Sequence, residues 1–148
     1  MLLDFITQVI NNRTITIPVL SWFIAQSLKV AGVILKEKRF DFTRFVGSGG
    51  MPSSHSAFIV SLAVVIGKNK GWNSEIFGLA LAVALIVMYD AAGVRRAAGK
   101  QAKVLNRLVF SHYDKAHFDE KLKELIGHTP FEVMMGAVLG TLMGIVLG

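Results

Sequence analysis

The chain has 148 residues and no cysteine, is 53% hydrophobic against 18% charged, and carries a formal net charge of +6. A mean hydropathy of +0.53 exceeds what a small soluble core can bury, so the composition predicts a single integral-membrane domain over residues 1–148. Disulfides and thiolate zinc sites are excluded, and the first residues lack the basic stretch of a cleaved signal peptide.

In chain order, residues 2–10 form an apolar stretch too short to cross a bilayer, and predict an interfacial helix or a plug. Four candidate spans follow: Ile17 to Leu35, Pro52 to Gly67, Ile76 to Val94, and Pro130 to Gly148. Each is rich in Leu, Val, Ile, Ala, Phe and Gly and lacks the polar stripe of a soluble helix, which predicts an all-α membrane bundle. Between the last two spans lies one long polar segment, 97–127. Its apolar residues Ala102, Leu105 and Val109, then Phe118, Leu122, Leu125 and Ile126, recur near helical spacing. That pattern predicts two amphipathic helices on the membrane surface, joined near Ser111 and His112.

Charge sets the expected orientation. Lys36, Lys38, Arg39, Arg44, Arg95, Arg96, Lys100, Lys103, Arg107, Lys115, Lys121 and Lys123 fall on one side of a four-span layout. Arg13, Lys68 and Lys70 fall on the other. The basic side is expected in the cytoplasm. The charge is thus a topology signal, and no nucleic-acid partner is expected.

Unusual polar residues gather at that basic end. Gln26 and Lys29 lie in the cytoplasmic half of the first span. Gly-Gly-Met-Pro-Ser-Ser-His, residues 49–55, opens the second, so Ser53, Ser54 and His55 occupy a first helical turn. There free N–H groups and the positive helix end attract an anion. Asp90 closes the third span, with Arg95 and Arg96 about one turn beyond, and His128 opens the fourth with Glu132 at i+4. Residues i and i+4 share a helix face, so Glu132 can hold one ring nitrogen of His128 and leave the other free to attack. Singly, each has a plainer role: Lys29 a snorkelling cation, Ser53 a cap, Arg95 and Arg96 topology anchors, His128 a cap partnered by Glu132. Together they point to phosphate chemistry. No His-Glu-x-x-His pattern supports a metal site.

Three stretches carry a family resemblance: Gly-Gly-Met-Pro-Ser-Ser-His-Ser-Ala (49–57), Asp-Ala-Ala-Gly-Val-Arg-Arg-Ala-Ala-Gly-Lys-Gln-Ala (90–102) and Gly-His-Thr-Pro-Phe-Glu-Val (127–133), with Ala-Gln-Ser-Leu-Lys (25–29) ahead of them. The chain resembles the divergent, bacterial and plant branch of the type 2 phosphatidic acid phosphatase superfamily, which is related to vanadium-dependent haloperoxidases. The resemblance runs from about residue 20 to 145. It implies that Lys29 stands for the phosphate-binding lysine of the first signature. It implies that Ser53, Ser54 and His55 correspond to Pro-Ser-Gly-His, whose backbone binds phosphate and whose histidine is the general acid. It implies that Arg95 or Arg96 is the arginine of the third signature, with His128 as nucleophile and Glu132 as its orienting carboxylate. Ser54 stands where the family has glycine, Glu132 where it has aspartate, and segment 97–127 separates arginine from histidine. No Arg-Pro follows Lys29, which makes Lys36 and Arg39 candidates for the missing cation.

The function expected is a lipid phosphate phosphatase in the bilayer, with a membrane lipid phosphate as substrate, a phosphohistidine intermediate and no cofactor. The alternative is a non-catalytic anionic-lipid-binding or scaffolding protein. A transporter is disfavoured because the far halves of the spans are apolar. Gly136, Gly140 and Gly144 form a ladder suited to close helix packing, inside the chain or, in a homo-oligomer, against a second copy.

Overall fold

The computed structural model describes residues 1–37, 50–112, 121–124 and 126–148. They form six helices and no strand: α1 (Leu2–Asn11), α2 (Arg13–Glu37), α3 (Ser54–Lys70), α4 (Glu75–Ala92), α5 (Val94–His112) and α6 (Pro130–Leu147). Local chemistry sets the ends. Ser53 Oγ accepts from the Ser56 N–H at the start of α3, and Ser74 Oγ accepts from the Phe77 N–H at the start of α4. Gly71, at φ +92°, stops α3 in a conformation that a side chain would strain. At the start of α6, Thr129 and Glu132 exchange hydrogen bonds as a capping box, with Pro130 as the first helical residue. At its far end, Lys68 Nζ donates to the Ile145 and Gly148 carbonyls at 2.7 and 2.8 Å. That cation sits where the helix dipole is negative.

α3 is the centre of the bundle, packed against α2, α4 and α6. Its buried residues are small: Ser54, Ser56, Ala57, Ser61, Ala63 and Gly67, with Val65 the one larger side chain among them. The facing stripe of α6 is Val133, Gly136, Gly140 and Gly144. A Cβ on Gly136 would run into the Ser53 carbonyl, and one on Gly140 would meet the Ala57 carbonyl. Small residues let the two backbones touch, as helices do in lipid, where burying apolar side chains gives no driving force between helices. The large apolar side chains point outward instead: Leu85, Ile86 and Val146 are 58, 68 and 74% exposed. The glycine ladder therefore serves packing within the chain.

Among the described residues, three helical stretches are long and apolar enough to cross a membrane: Arg13–Leu35, Glu75–Val109 and Pro130–Leu147. The second joins α4 and α5 across Gly93. α3, the expected second span, has 17 residues with polar ends, Ser-His-Ser and Lys-Asn-Lys. α1 is present as a short helix with no buried residue. The polar segment is helical as far as His112, where the join of two helices was expected, and departs from expectation at its two ends. α5 runs as one helix from Val94, starting earlier than residue 97, and residues 121–124 and 126–129 are not helical where the second amphipathic helix was expected to end. The physical reason is Asn106, buried on α5, whose amide donates to the Leu122 carbonyl at 2.9 Å while its oxygen accepts from the Leu122 N–H at 3.0 Å. A side chain thus takes up the backbone groups that a helix would have paired. The remainder of that expected helix, 113–120, lies outside the described residues.

Candidate functional site

The site is built where α2, α3, α4 and α6 meet at one end of the bundle. His128 is 2% exposed. Its backbone N–H donates to the Ala91 carbonyl at 3.0 Å, tying the segment before α6 to the last turn of α4. Its Nδ1 lies 3.2 Å from Glu132 Oε2, and the same oxygen accepts from the Thr129 N–H at 3.0 Å. The Glu132 carbonyl accepts from the Ser53 N–H at 2.9 Å, so α3 and α6 begin on a shared peptide contact. One carboxylate residue therefore caps α6, holds the imidazole and anchors the turn ahead of α3. Among the described residues, His128 Nε2 is buried with no hydrogen-bond partner. Burial pushes the imidazole below the ordinary histidine range. The Lys29 charge adds in the same direction, against the pull of Glu132 and the Gly50 carbonyl. The ring is therefore neutral at neutral pH, and the carboxylate beside Nδ1 favours the tautomer with the proton there, which leaves the lone pair on Nε2.

Lys29 is buried, at 5% exposure, and its Nζ donates to Ser54 Oγ at 3.2 Å. Ser53, Ser54 and Ser56 are buried in the first turn of α3, and the Ser56 hydroxyl donates to Ser53 Oγ at 3.0 Å. His55 is on the exposed side of that turn. Three cavities surround these groups. A pocket of about 20 Å³ is lined by His55, Asp90, Arg95 and His128. In it, Arg95 Nε pairs with Asp90 Oδ2. A cleft of about 250 Å³ is lined by Arg96, Lys100, Lys103, Thr129, Glu132 and His128. An apolar groove of about 800 Å³ between α2 and α6 reaches Lys29, Gly50 and Glu132 at its polar end.

The structure thus brings Lys29, Ser53, Ser54, His55, Asp90, Arg95, Arg96, His128 and Glu132 to one end of the bundle. Arg95 and Arg96 flank His128 from different cavities. Lys36 lies in the last turn of α2, and Arg39 lies outside the described residues. The plainer sequence reading made His128 the cap of the last span, whereas the cap is Thr129. Its Thr-Pro-Phe-Glu pattern is a capping box, and that signal was present in the chain. Sequence reasoning also took Lys100 and Lys103 as surface charge. Their spacing from Arg96, at i+4 and i+7, is the signal that one helical face carries all three into the cleft. Gly50, at φ +87°, lets the chain turn close over the Lys29 stem, a contact that no sequence pattern announces.

Buried small residues, a helix N-terminus and histidine backed by a carboxylate define a helical membrane protein with a compact polar site. The chain belongs to the divergent PAP2 family, whose model matches residues 10–143. It is 36% identical over 152 residues to a protein of Bacillus subtilis (strain 168) described as "Uncharacterized membrane protein YuiD", covering 95% of this chain and 96% of that protein. No solved structure matches the chain.

Proposed function

We propose that the protein is a metal-independent lipid phosphate phosphatase, cleaving a phosphate monoester such as phosphatidylglycerophosphate or phosphatidic acid at the cytoplasmic leaflet. The observation that carries this reading is His128: a neutral, buried ring, held at Nδ1 by Glu132 and unengaged at Nε2 among the described residues, beside His55 and Arg95. The chemistry follows from those groups. Lys29, Arg96 and the first-turn N–H groups of α3 neutralise the phosphate and the charge that develops on it. His128 Nε2 forms a bond to phosphorus as the lipid C–O–P oxygen leaves, and Glu132 stabilises the charge gained by the ring. Protonated His55 gives its proton to the departing alkoxide. Water then attacks the phosphohistidine, losing a proton to His55, and phosphate departs as His128 is regenerated. Arg95, paired with Asp90, holds the far wall of the pocket.

For the membrane arrangement we infer four spans, with α3 as the second. α2, α4 and α6 pack around its buried middle, and its exposed polar residues, His55 and Lys68 to Lys70, fall at the two helix ends, where side chains reach the interface. The excess of Lys and Arg on α5 and in the adjoining sequence supports a site on the cytoplasmic side, with α5 against anionic headgroups.

A second reading, non-catalytic binding of an anionic lipid, is favoured by one observation. The pocket between the two histidines is about 20 Å³, room for a single water rather than a phosphate. Phosphate release from a panel of lipid phosphates, without divalent metal and with or without vanadate, separates the two. The enzyme reading expects release and inhibition by vanadate, which adopts the five-coordinate geometry of the transferred group. A folded His128→Ala variant is expected to be inactive, and full activity in it ends the nucleophile assignment. Saturable lipid binding with no turnover, indifferent to His128, establishes the second reading.

A further inference from the structure

We propose that the groove between α2 and α6 is the berth of one hydrocarbon tail of a lipid phosphate monoester whose headgroup stands at His128. The inference deepens the reading above and rests on it for the identity of the headgroup. The groove holds about 800 Å³, with Leu28, Val33 and Leu35 on the α2 wall and Met135, Val138 and Leu142 on the α6 wall. Met135, Val138 and Leu142 follow at i, i+3 and i+7, and Leu28 and Leu35 stand seven residues apart with Val33 at the edge of their face, so each helix presents one wall to the groove. Gly32 lies between them, and a Cβ built on it meets nothing within 4 Å, which makes this stretch of the groove open space. From Glu132 to Leu142 the α6 wall is roughly 15 Å long at the helical rise, a length suited to an extended chain rather than to a compact headgroup.

The polar end is what selects the occupant. The groove and the basic cleft share Gly50 and Glu132, and the cleft is lined by His128, Arg96, Lys100 and Lys103. Lys29 stands at the same junction, buried, with the neutral Ser54 hydroxyl as its hydrogen-bond partner among the described residues. The Glu132 carboxylate favours the charged form of Lys29, but that carboxylate is already shared between the Thr129 amide and the His128 ring, so the cost of burying the ammonium is only partly offset. An anionic head at the junction with its tail in the groove relieves that cost and fills the apolar volume in one molecule. A bulk zwitterionic lipid offers no net negative charge there, and a helix from a second copy would seal Lys29 under apolar side chains.

The test labels the full-length protein in phosphatidylcholine vesicles with two trace lipids that carry the same photoreactive diazirine in the tail. One has a phosphate monoester head and the other a choline head. The expected result is preferential labelling of residues 28–35 and 135–142 by the phosphate-headed probe, by about tenfold, the ratio that ~1.4 kcal/mol of recognition gives. Gly32→Leu, which fills the groove from α2, is expected to bring that labelling down to the choline level. Val138→Trp, which fills it from α6, is expected to do the same and serves if the first variant fails to fold. Equal labelling by the two probes, no labelling by either, or labelling unchanged in both folded variants overturns the proposal. Head-selective labelling without any phosphate release keeps the tail berth and removes the phosphatase reading. Phosphate release without selective labelling does the reverse.

Discussion

At the scale of single residues, Glu132 serves two partners with one carboxylate. Its Oε2 faces both the Thr129 amide and the His128 ring, so a shorter or neutral replacement weakens a helix start and a ring orientation together. The proposed chemistry gives these residues distinct signatures. His55→Ala is expected to cut kcat by about 10²–10⁴-fold, the usual worth of a general acid, while leaving lipid-phosphate binding within a few-fold of the parent; unaltered turnover would remove it from the mechanism. The pH dependence follows from His128. The neutral ring is the attacking form, and burial together with Lys29 moves its protonation below the ordinary histidine range. Activity is therefore expected to persist on the acid side past the point where an unperturbed histidine would have protonated. Lys29→Met removes a charge that disfavours the imidazolium, so the acid limb of the residual kcat/KM profile moves to higher pH. A limb that stays in place, or moves down, contradicts the placement of Lys29 beside the ring. The i, i+4 pairing of His128 and Glu132 was legible in the sequence because helical geometry makes it local. The approach of Lys29 to Ser54 was not, since 25 positions separate them and no periodicity reports a contact between helices.

At the scale of helices, the close contact of α3 with α6 decides stability. Gly140→Ala drives a methyl into the Ala57 carbonyl and the Ser61 amide, both backbone and unable to yield. A loss of about 1–3 kcal/mol is expected, as for other overpacked sites. Gly78→Ala on α4 meets nothing within 4 Å, and is expected to be neutral or stabilising by up to ~1 kcal/mol through helix propensity. Thermal unfolding of both variants in one detergent checks the pair; similar melting shifts would mean that the ladder is not a contact surface. The ladder's spacing, and the starts of α3 and α6, could be read from the chain because Ser-Ser-His after Pro52 and Thr-Pro-Phe-Glu are strong start signals. The far end of the polar segment, residues 121–124 and 126–127, could not. Its apolar spacing mimics a helix, but the amide of Asn106 competes for the Leu122 backbone, and side-chain competition of that kind leaves no periodic mark.

At the scale of the whole molecule, the absence of cysteine makes the proposed topology directly measurable. Single cysteines at Asp4, Lys70 and Lys103, all exposed positions, report which side each occupies to a membrane-impermeant thiol reagent. Four spans place Asp4 and Lys70 on one side and Lys103 on the other. Asp4 and Lys70 on opposite sides would mean that α3 does not cross. Composition foretold a membrane protein, because apolar excess is a bulk property, and the length of the apolar runs foretold helices. That α3 would be the sheathed centre was hidden, since its serines look like those of a soluble helix until their neighbours are known. The hydrogen bond from the Ser53 amide to the Glu132 carbonyl has a consequence during synthesis. The serine turn emerges from the ribosome long before the residue that completes it, so a chain with only its early helices inserted has an open amide where the finished protein has a closed one. Under the proposed mechanism, such a half-made chain holds the oxyanion-binding turn but has neither nucleophile nor orienter, and nearby lipids are safe from it until His128 and Glu132 have been added.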